Sequence, residues 1–248
     1  MTVLFFSKTN AQDTTTTNFY NQIKNYDLST ILVEDSIYSE SREEGKEKHK
    51  RGEILGFIGD DYQRFFIHFV SVIQNPTNPN EYLVFGKTKV KEVICSFQGT
   101  ISVRNARMYK SCDIPTYQQG YASCDVILYE DNKQSSTGVI KGKLKCEFLI
   151  DDKGQFRYDA LMFESDGFSN NQFIGSWTSY KTNKTIKCNW GDYRIPESRN
   201  FDIGAGEFSV AEKYLLNGWG NYKLAWGTYP ETQDVLSAKR MENLHWWE

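Results

Sequence analysis

The sequence predicts a mainly β fold, an antiparallel up-and-down β-barrel of roughly eight to ten strands with short N- and C-terminal helices. Three observations carry that expectation. Apolar and polar side chains alternate with period two through most of residues 53–190. Turn-forming clusters, NPTNPN at 75–80 and DDKG at 151–154 among them, separate these runs at hairpin spacing. No long stretch with a 3.6-residue period interrupts the series. A meander of this length must cover its edge strands, and closing the sheet on itself is the simplest way to do so.

The chain opens with Val3, Leu4, Phe5 and Phe6 followed by Ser-Lys-Thr-Asn-Ala-Gln, which reads as the latter half of a secretory signal cleaved near Gln12. On that reading residues 1–12 are a signal remnant, and 13–248 form a single barrel domain with a helical extension over about 205–248. Localisation is then the periplasm or cell envelope. An ordinary, uncleaved N-terminus gives a cytoplasmic protein instead. Phe19, Ile23 and Tyr26, spaced four and three apart, predict a short helix over 18–27. Residues 40–51, ESREEGKEKHKR, lack a large apolar side chain and read as a solvated loop in which His49 is no ligand.

The strands follow. Residues 53–58 lead into 62–73, where Phe65, Ile67 and Phe69 share one face and Tyr62, Arg64, Phe66, His68 and Val70 the other. Both faces are largely apolar, so this strand is expected to be covered on each side. Over 81–93, Lys87, Lys89 and Lys91 oppose Thr88 and Val90, a half-exposed pattern; over 96–109, Phe97, Ile101 and Val103 point inward. Residues 121–129 and 137–150 form a hairpin in which Ile140, Leu144, Cys146 and Phe148 oppose Lys141, Lys143, Lys145 and Glu147. Past the turn at 151–154, residues 155–163 put Phe156, Tyr158, Ala160 and Met162 together. In the hairpin at 173–190, Phe173, Gly175 and Trp177 share the buried side with Ile186, Cys188 and Trp190. A slip of one residue would expose both indoles and bury Lys187. Near the end, Ser209 is placed to cap a helix over 210–217 that stops at Gly218, and 230–247 reads as a second helix. Trp246 and Trp247 are expected to dock on the barrel or to meet a protein partner.

Composition narrows the function classes. A net charge of −3 offers no basic footprint for nucleic acid. The longest apolar run, 65–73, is too short to span a membrane as a helix. Five cysteines cannot all pair. Cys112 and Cys124 flank a loop and could bridge, but Cys124, Cys146 and Cys188, set among apolar neighbours, read rather as small buried hydrophobes. The three histidines are not spaced for a shared metal, and Gly204-Ala205-Gly206-Glu207-Phe208-Ser209 has Ser where a dinucleotide fingerprint needs its third Gly. Neither a nucleophile elbow nor a phosphate loop is present, so the reading is non-enzymatic with no cofactor.

Two function readings stand side by side. If the face bearing Tyr62, Arg64, Phe66 and His68 is the barrel lumen, it offers a cation and a titratable donor among aromatics, and with Trp177 and Trp190 would line a site for a small apolar or amphipathic ligand. If that face lies under a helix, Arg64 and His68 are satisfied structural groups, and the chain is a non-catalytic envelope or interaction domain with a packed core.

Gly175-Ser176-Trp177 resembles the G-x-W that opens lipocalins and other calycins, in which the Trp packs beneath an Arg at the closed end of the barrel. The resemblance makes Arg194 the candidate partner of Trp177. The segments GFIGDDYQRFFIHFVS (56–71), VFGKTKVK (84–91), CSFQGTI (95–101), NNQFIGSW (170–177), KCNWGDYRIP (187–196) and FDIGAGEF (201–208) resemble a family of exported Bacteroidota proteins without an assigned activity. That resemblance implies export and a calycin-like barrel, and no functional residues.

Overall fold

The computed structural model describes residues 15–41, 45–112 and 114–248; the expected signal remnant lies outside them. The described residues begin with β1 (Thr16–Asn18), α1 (Tyr20–Ile23) and α2 (Ser29–Val33), then β2 (Ser36–Ser41) and β3 (Gly45–Lys50). The barrel strands are β4 (Leu55–Ile58), β5 (Gln63–Arg64), β6 (Phe66–Gln74), β7 (Glu81–Val90), β8 (Val93–Tyr109), β9 (Gln118–Glu130) and β10 (Gly138–Ile150). Short β11 (Phe156–Tyr158) precedes β12 (Asn170–Ser179) and β13 (Thr185–Asp192). A 3₁₀ turn (Glu212–Asn217), α3 (Gly220–Trp226) and α4 (Gln233–Glu242) finish the chain.

Every neighbour in the sheet is antiparallel, in the order β4, β13, β12, β10, β9, β8, β7, β6. One run of chain stands at both ends of this order. Its first residues, in β5, pair with β4, with Phe57 opposite Arg64 and the Phe65 N–H donating to Gly56 O at 2.9 Å. Its remainder, β6, pairs with β7. The result is an antiparallel sheet curled into a half-barrel, consistent with the up-and-down barrel that the alternation predicts, in which β6 pairs with β7 alone. At the hairpin β12–β13 the register is the expected one: Phe173 faces Trp190, Gly175 faces Cys188 and Trp177 faces Ile186.

The interior is filled by side chains. Phe97, Leu128, Ile140, Phe148, Phe173 and Trp190 each keep 0–1% of their surface. Walls of an open lumen would retain accessible area, so aromatic rings rather than solvent occupy this space. Phe173 stacks on Trp190 at 3.5 Å between centroids, 10° from parallel. That ring also dictates two glycines: a Cβ on Gly142 or Gly175 would lie 2.5 or 2.4 Å from Phe173 Cζ.

Three expectations are corrected. The described part of the charged run 40–51 is not a loop: residues 40–41 and 45–50 belong to the hairpin β2–β3. Ile37 anchors it at 1% exposure, Lys46 lies over the Tyr38 ring at 4.4 Å, and His49 shares a 2.6 Å hydrogen bond with Ser39 and packs on Phe163. Long charged side chains laid on rings make a stable strand without a core face. The run at 155–163 stays extended only through β11, and Met162 is exposed. Ser209 caps no helix: the first C-terminal turn begins at Glu212 with Ala211 as its cap, although it does end at left-handed Gly218. The cysteine expectation holds: Cys124, Cys146 and Cys188 are buried thiols, joined by Cys95, and Cys112 and Cys124 do not bridge. Burial pushes the Cys95 thiol up to about 11, and Cys188 well above the ordinary value.

Candidate functional site

The six residues expected to line one ligand site lie on opposite faces of the sheet. Trp177 and Trp190 face the packed interior, whereas Tyr62, Arg64, Phe66 and His68 face outward beneath the C-terminal segment. Period-two alternation in β6 puts Phe65, Ile67 and Phe69 inside, which sends the alternate set out. As far as His68 both faces are covered, which is why both carry rings; the cover expected over the whole of 62–73 does not extend to Val70 and Ile73.

On the outer face a second core forms. Leu55, Phe57, Phe201, Phe208, Val210 and Trp219 pack together with Tyr62, Tyr214 and Tyr222 at its margin. Tyr62 stacks on Phe201 at 4.7 Å, and its carbonyl accepts from Trp219 Nε1 at 2.7 Å. Arg64 sits at the edge of this core, 1% exposed. Its guanidinium lies 4.1 Å from the Trp219 ring centroid, 4.6 Å from Phe66 and 5.0 Å from Tyr222. Nη2 donates to Glu242 Oε2 on α4 at 3.1 Å. Desolvation lowers the affinity of Arg64 for its proton, with the Glu242 charge acting against it.

The tail beyond α4 continues along the same face. Trp246 packs on Phe66 at 5.8 Å, Trp247 stacks on His68 at 3.7 Å, and Lys87 Nζ donates to the Trp247 carbonyl. The docking expected of the two tryptophans is therefore made within the chain. Past His68 the covering stops. Val70, displaced outward where the β6–β7 register shifts, is exposed with Ile73, Leu83 and Phe85. Along β7 the outer face thus reads Leu83, Phe85, Lys87, Lys89: an apolar half running into a basic half.

His68 reports on the tail. Burial lowers its pKa from the ordinary 6.5; His245 and Arg51 push the same way, and Asp35 pushes back, while Lys87 stands opposite it across the ladder. A depressed folded value means that the unfolded or undocked form takes up the proton first. Stability from the docked, neutral ring is present above 6.5 and is lost as pH falls through the lower folded value. Lowering the pH from about 7.5 to about 5.5 is expected to loosen the tail. In protein carrying 5-fluorotryptophan, with the 247 resonance assigned through Trp247→Phe, that fluorine signal should move toward its free position. An unmoved signal across the titration rules the coupling out.

The remaining predicted residues serve the interior. Trp177 Nε1 donates to Glu130 Oε2 at 2.8 Å, and that buried carboxylate also accepts from Thr88 Oγ1 at 2.6 Å and the Gly138 N–H at 2.8 Å. Arg194 does not meet Trp177. It binds Asp202 at 2.7 Å and the carbonyls of Gly204, Ala205 and Gly206, pinning the glycine loop.

Sequence reasoning missed the polar groups at the end of the barrel capped by α2. Arg51 Nη2 donates to both oxygens of Asp192, at 3.1 and 2.8 Å, and Nη1 to Ile31 O at 3.2 Å. Tyr158 Oη and Asn171 Nδ2 donate to the same carboxylate, at 3.1 and 2.8 Å. Burial raises the Asp192 pKa, with the Arg51 charge opposing it. Outside this cluster opens a cleft of about 300 Å³, lined by Glu34, Ser36, Tyr38, Lys46, Phe156 and Arg157 among others. Burial raises the Glu34 pKa, with Arg51 and Arg157 acting against it.

Compared with family models, curated proteins and solved structures, the chain matches none. Among the described residues no three His, Cys, Asp or Glu side chains stand close enough to hold a metal ion, and no helix is long and apolar enough to cross a membrane.

Proposed function

We propose that this protein is a non-catalytic interaction domain: a packed barrel that presents the outer face of β6–β7 to a protein partner. The observation that carries the reading is the exposed row Val70, Ile73, Leu83 and Phe85, continuous with the two tryptophans docked at its border. Uncovered apolar side chains that adjoin one another mark interaction surfaces. The partner is one with an apolar face flanked by acidic groups, because Lys87 and Lys89 extend the row. The filled interior supports this reading over a ligand held in the lumen.

A photo-crosslinking residue at position 83 of the full chain, in its own host, tests the proposal. The expected result is a protein adduct absent when the probe stands at Lys141 on another wall. Binding of that purified protein should fall tenfold or more with Phe85→Glu, about 1.4 kcal/mol. Equal labelling at 83 and 141 would sink it. A second reading, a small amphipathic ligand, is favoured by the cleft at Glu34 and Arg157, where rings and both signs of charge meet. Native mass spectrometry of host-purified protein showing no bound small molecule argues against it.

A further inference from the structure

Arg64 is held by one carboxylate bond and is built to take more. Its Nε and Nη1 are buried and have no hydrogen-bond partner among the described residues, although three aromatic rings surround the guanidinium. A carboxylate lying in the guanidinium plane accepts two parallel bonds, and Glu242 accepts one. Buried donors left unmade are costly, so a ligand that satisfies them gains over one that does not.

The element delivering Glu242 is weakly held. α4 buries only Val235 and Ala238, while Met241 and Leu244 are half exposed. Trp246 Nε1, in the tail that follows, is also buried without a partner among the described residues. The site therefore combines an under-used cation, aromatic walls and a covering segment of modest apolar contact.

We propose that Arg64 is a carboxylate-receiving site which the chain's own Glu242 occupies, and that a protein partner bearing an acidic side chain beside an apolar face takes the place of Glu242. The exchange lifts α4 and the Trp246 and Trp247 tail from the barrel and lengthens the apolar row by Phe66. It rests on the interaction-domain reading, because the same face supplies the adjoining row and Lys87 and Lys89.

Chemical rescue in the full chain tests it. Glu242→Ala should lose the docked fluorine signal of Trp247 and regain it saturably with sodium acetate, and sodium chloride at equal ionic strength should not restore it. Arg64→Met combined with Glu242→Ala should respond to neither salt. Equal responses to acetate and chloride, or acetate rescue without Arg64, overturn the proposal. If Glu242→Ala does not fold, a synthetic peptide of residues 233–248 is added to the unaltered protein. It should displace the native tail at least tenfold more tightly than the same peptide carrying Glu242→Gln; equal potency refutes the carboxylate's role. These outcomes are independent of Phe85→Glu, so failure of the docking row and failure of the Arg64 site are told apart.

Discussion

Asp192→Ala is expected to cost about 3–5 kcal/mol of unfolding free energy, because it strands the Arg51 cation in the barrel end without a counter-charge. Arg51 and Asp192 are both almost completely buried, and they are joined by two bonds at 2.8 and 3.1 Å. Asp192 is also the acceptor for Tyr158 Oη and Asn171 Nδ2, so the same truncation leaves two neutral donors unpaired. Arg51 keeps its carbonyl contacts, Ile31 O at 3.2 Å and Glu34 O at 3.5 Å, and the Tyr158 ring 5.2 Å from its guanidinium, none of which carries a counter-charge. The decisive comparison is with the double variant Arg51→Met with Asp192→Leu. Removing both charges together removes both desolvation penalties, so the double variant is expected to cost less than Asp192→Ala alone. Urea unfolding of the three proteins reads both expectations. A single variant within 1 kcal/mol of the parent, or a double variant that costs the sum of its parts, would show that the ion pair does not organise this end of the fold.

The residues of that pair show where sequence reasoning stops. Arg51 closes a run of charges that reads as solvent-facing, and Asp192 is 141 positions away. Nothing local marks either as buried, since pairing is a property of the folded sheet and not of any window. The hairpin of Trp177 and Trp190 is the opposite case: two indoles and Lys187 leave one register that buries the rings and keeps the charge wet, and the strands pair in that register. Alternation in β6 was legible, but not which of its faces is inside. Apolar residues stand on both, and the C-terminal segment, folding back 154 to 157 residues later, distinguishes them. Helix α3 escaped because Gly218 reads as a stop, while Trp219 and Tyr222 sit where rings of the outer core are needed rather than on an amphipathic stripe. Whether a barrel is hollow is also not carried by alternation. Period two says which side chains point in, whereas filling depends on ring sizes set against the circumference, and here phenylalanines close the gap.

Trp190→Ala is expected to destabilise the barrel by about 3–5 kcal/mol, as truncation of a buried large aromatic does when its neighbours cannot collapse. They cannot collapse here. Phe173 stacks flat on the indole from the adjacent strand, and Phe65 approaches at 6.1 Å. Gly56 brings backbone against the Trp190 Cβ, within 3.2 Å of where a Cβ of its own would stand, so β4 is fitted to this side chain. Phe173 in turn is held over Gly142 and Gly175, and moving it into the vacated space would uncover both glycines. The cost should therefore combine lost transfer energy with a residual cavity, and Trp190→Phe, which keeps a ring for Phe173 to stack on, should lose less. Trp177→Phe provides the contrast. It stays partly buried at the other barrel end, and its main loss is one donor to Glu130, about 1–3 kcal/mol for a buried acceptor left short. Guanidinium unfolding should rank the three as Trp190→Ala, then Trp177→Phe and Trp190→Phe together. A Trp190→Ala protein as stable as Trp177→Phe would mean that the interior repacks freely, and the filled barrel described above would no longer stand.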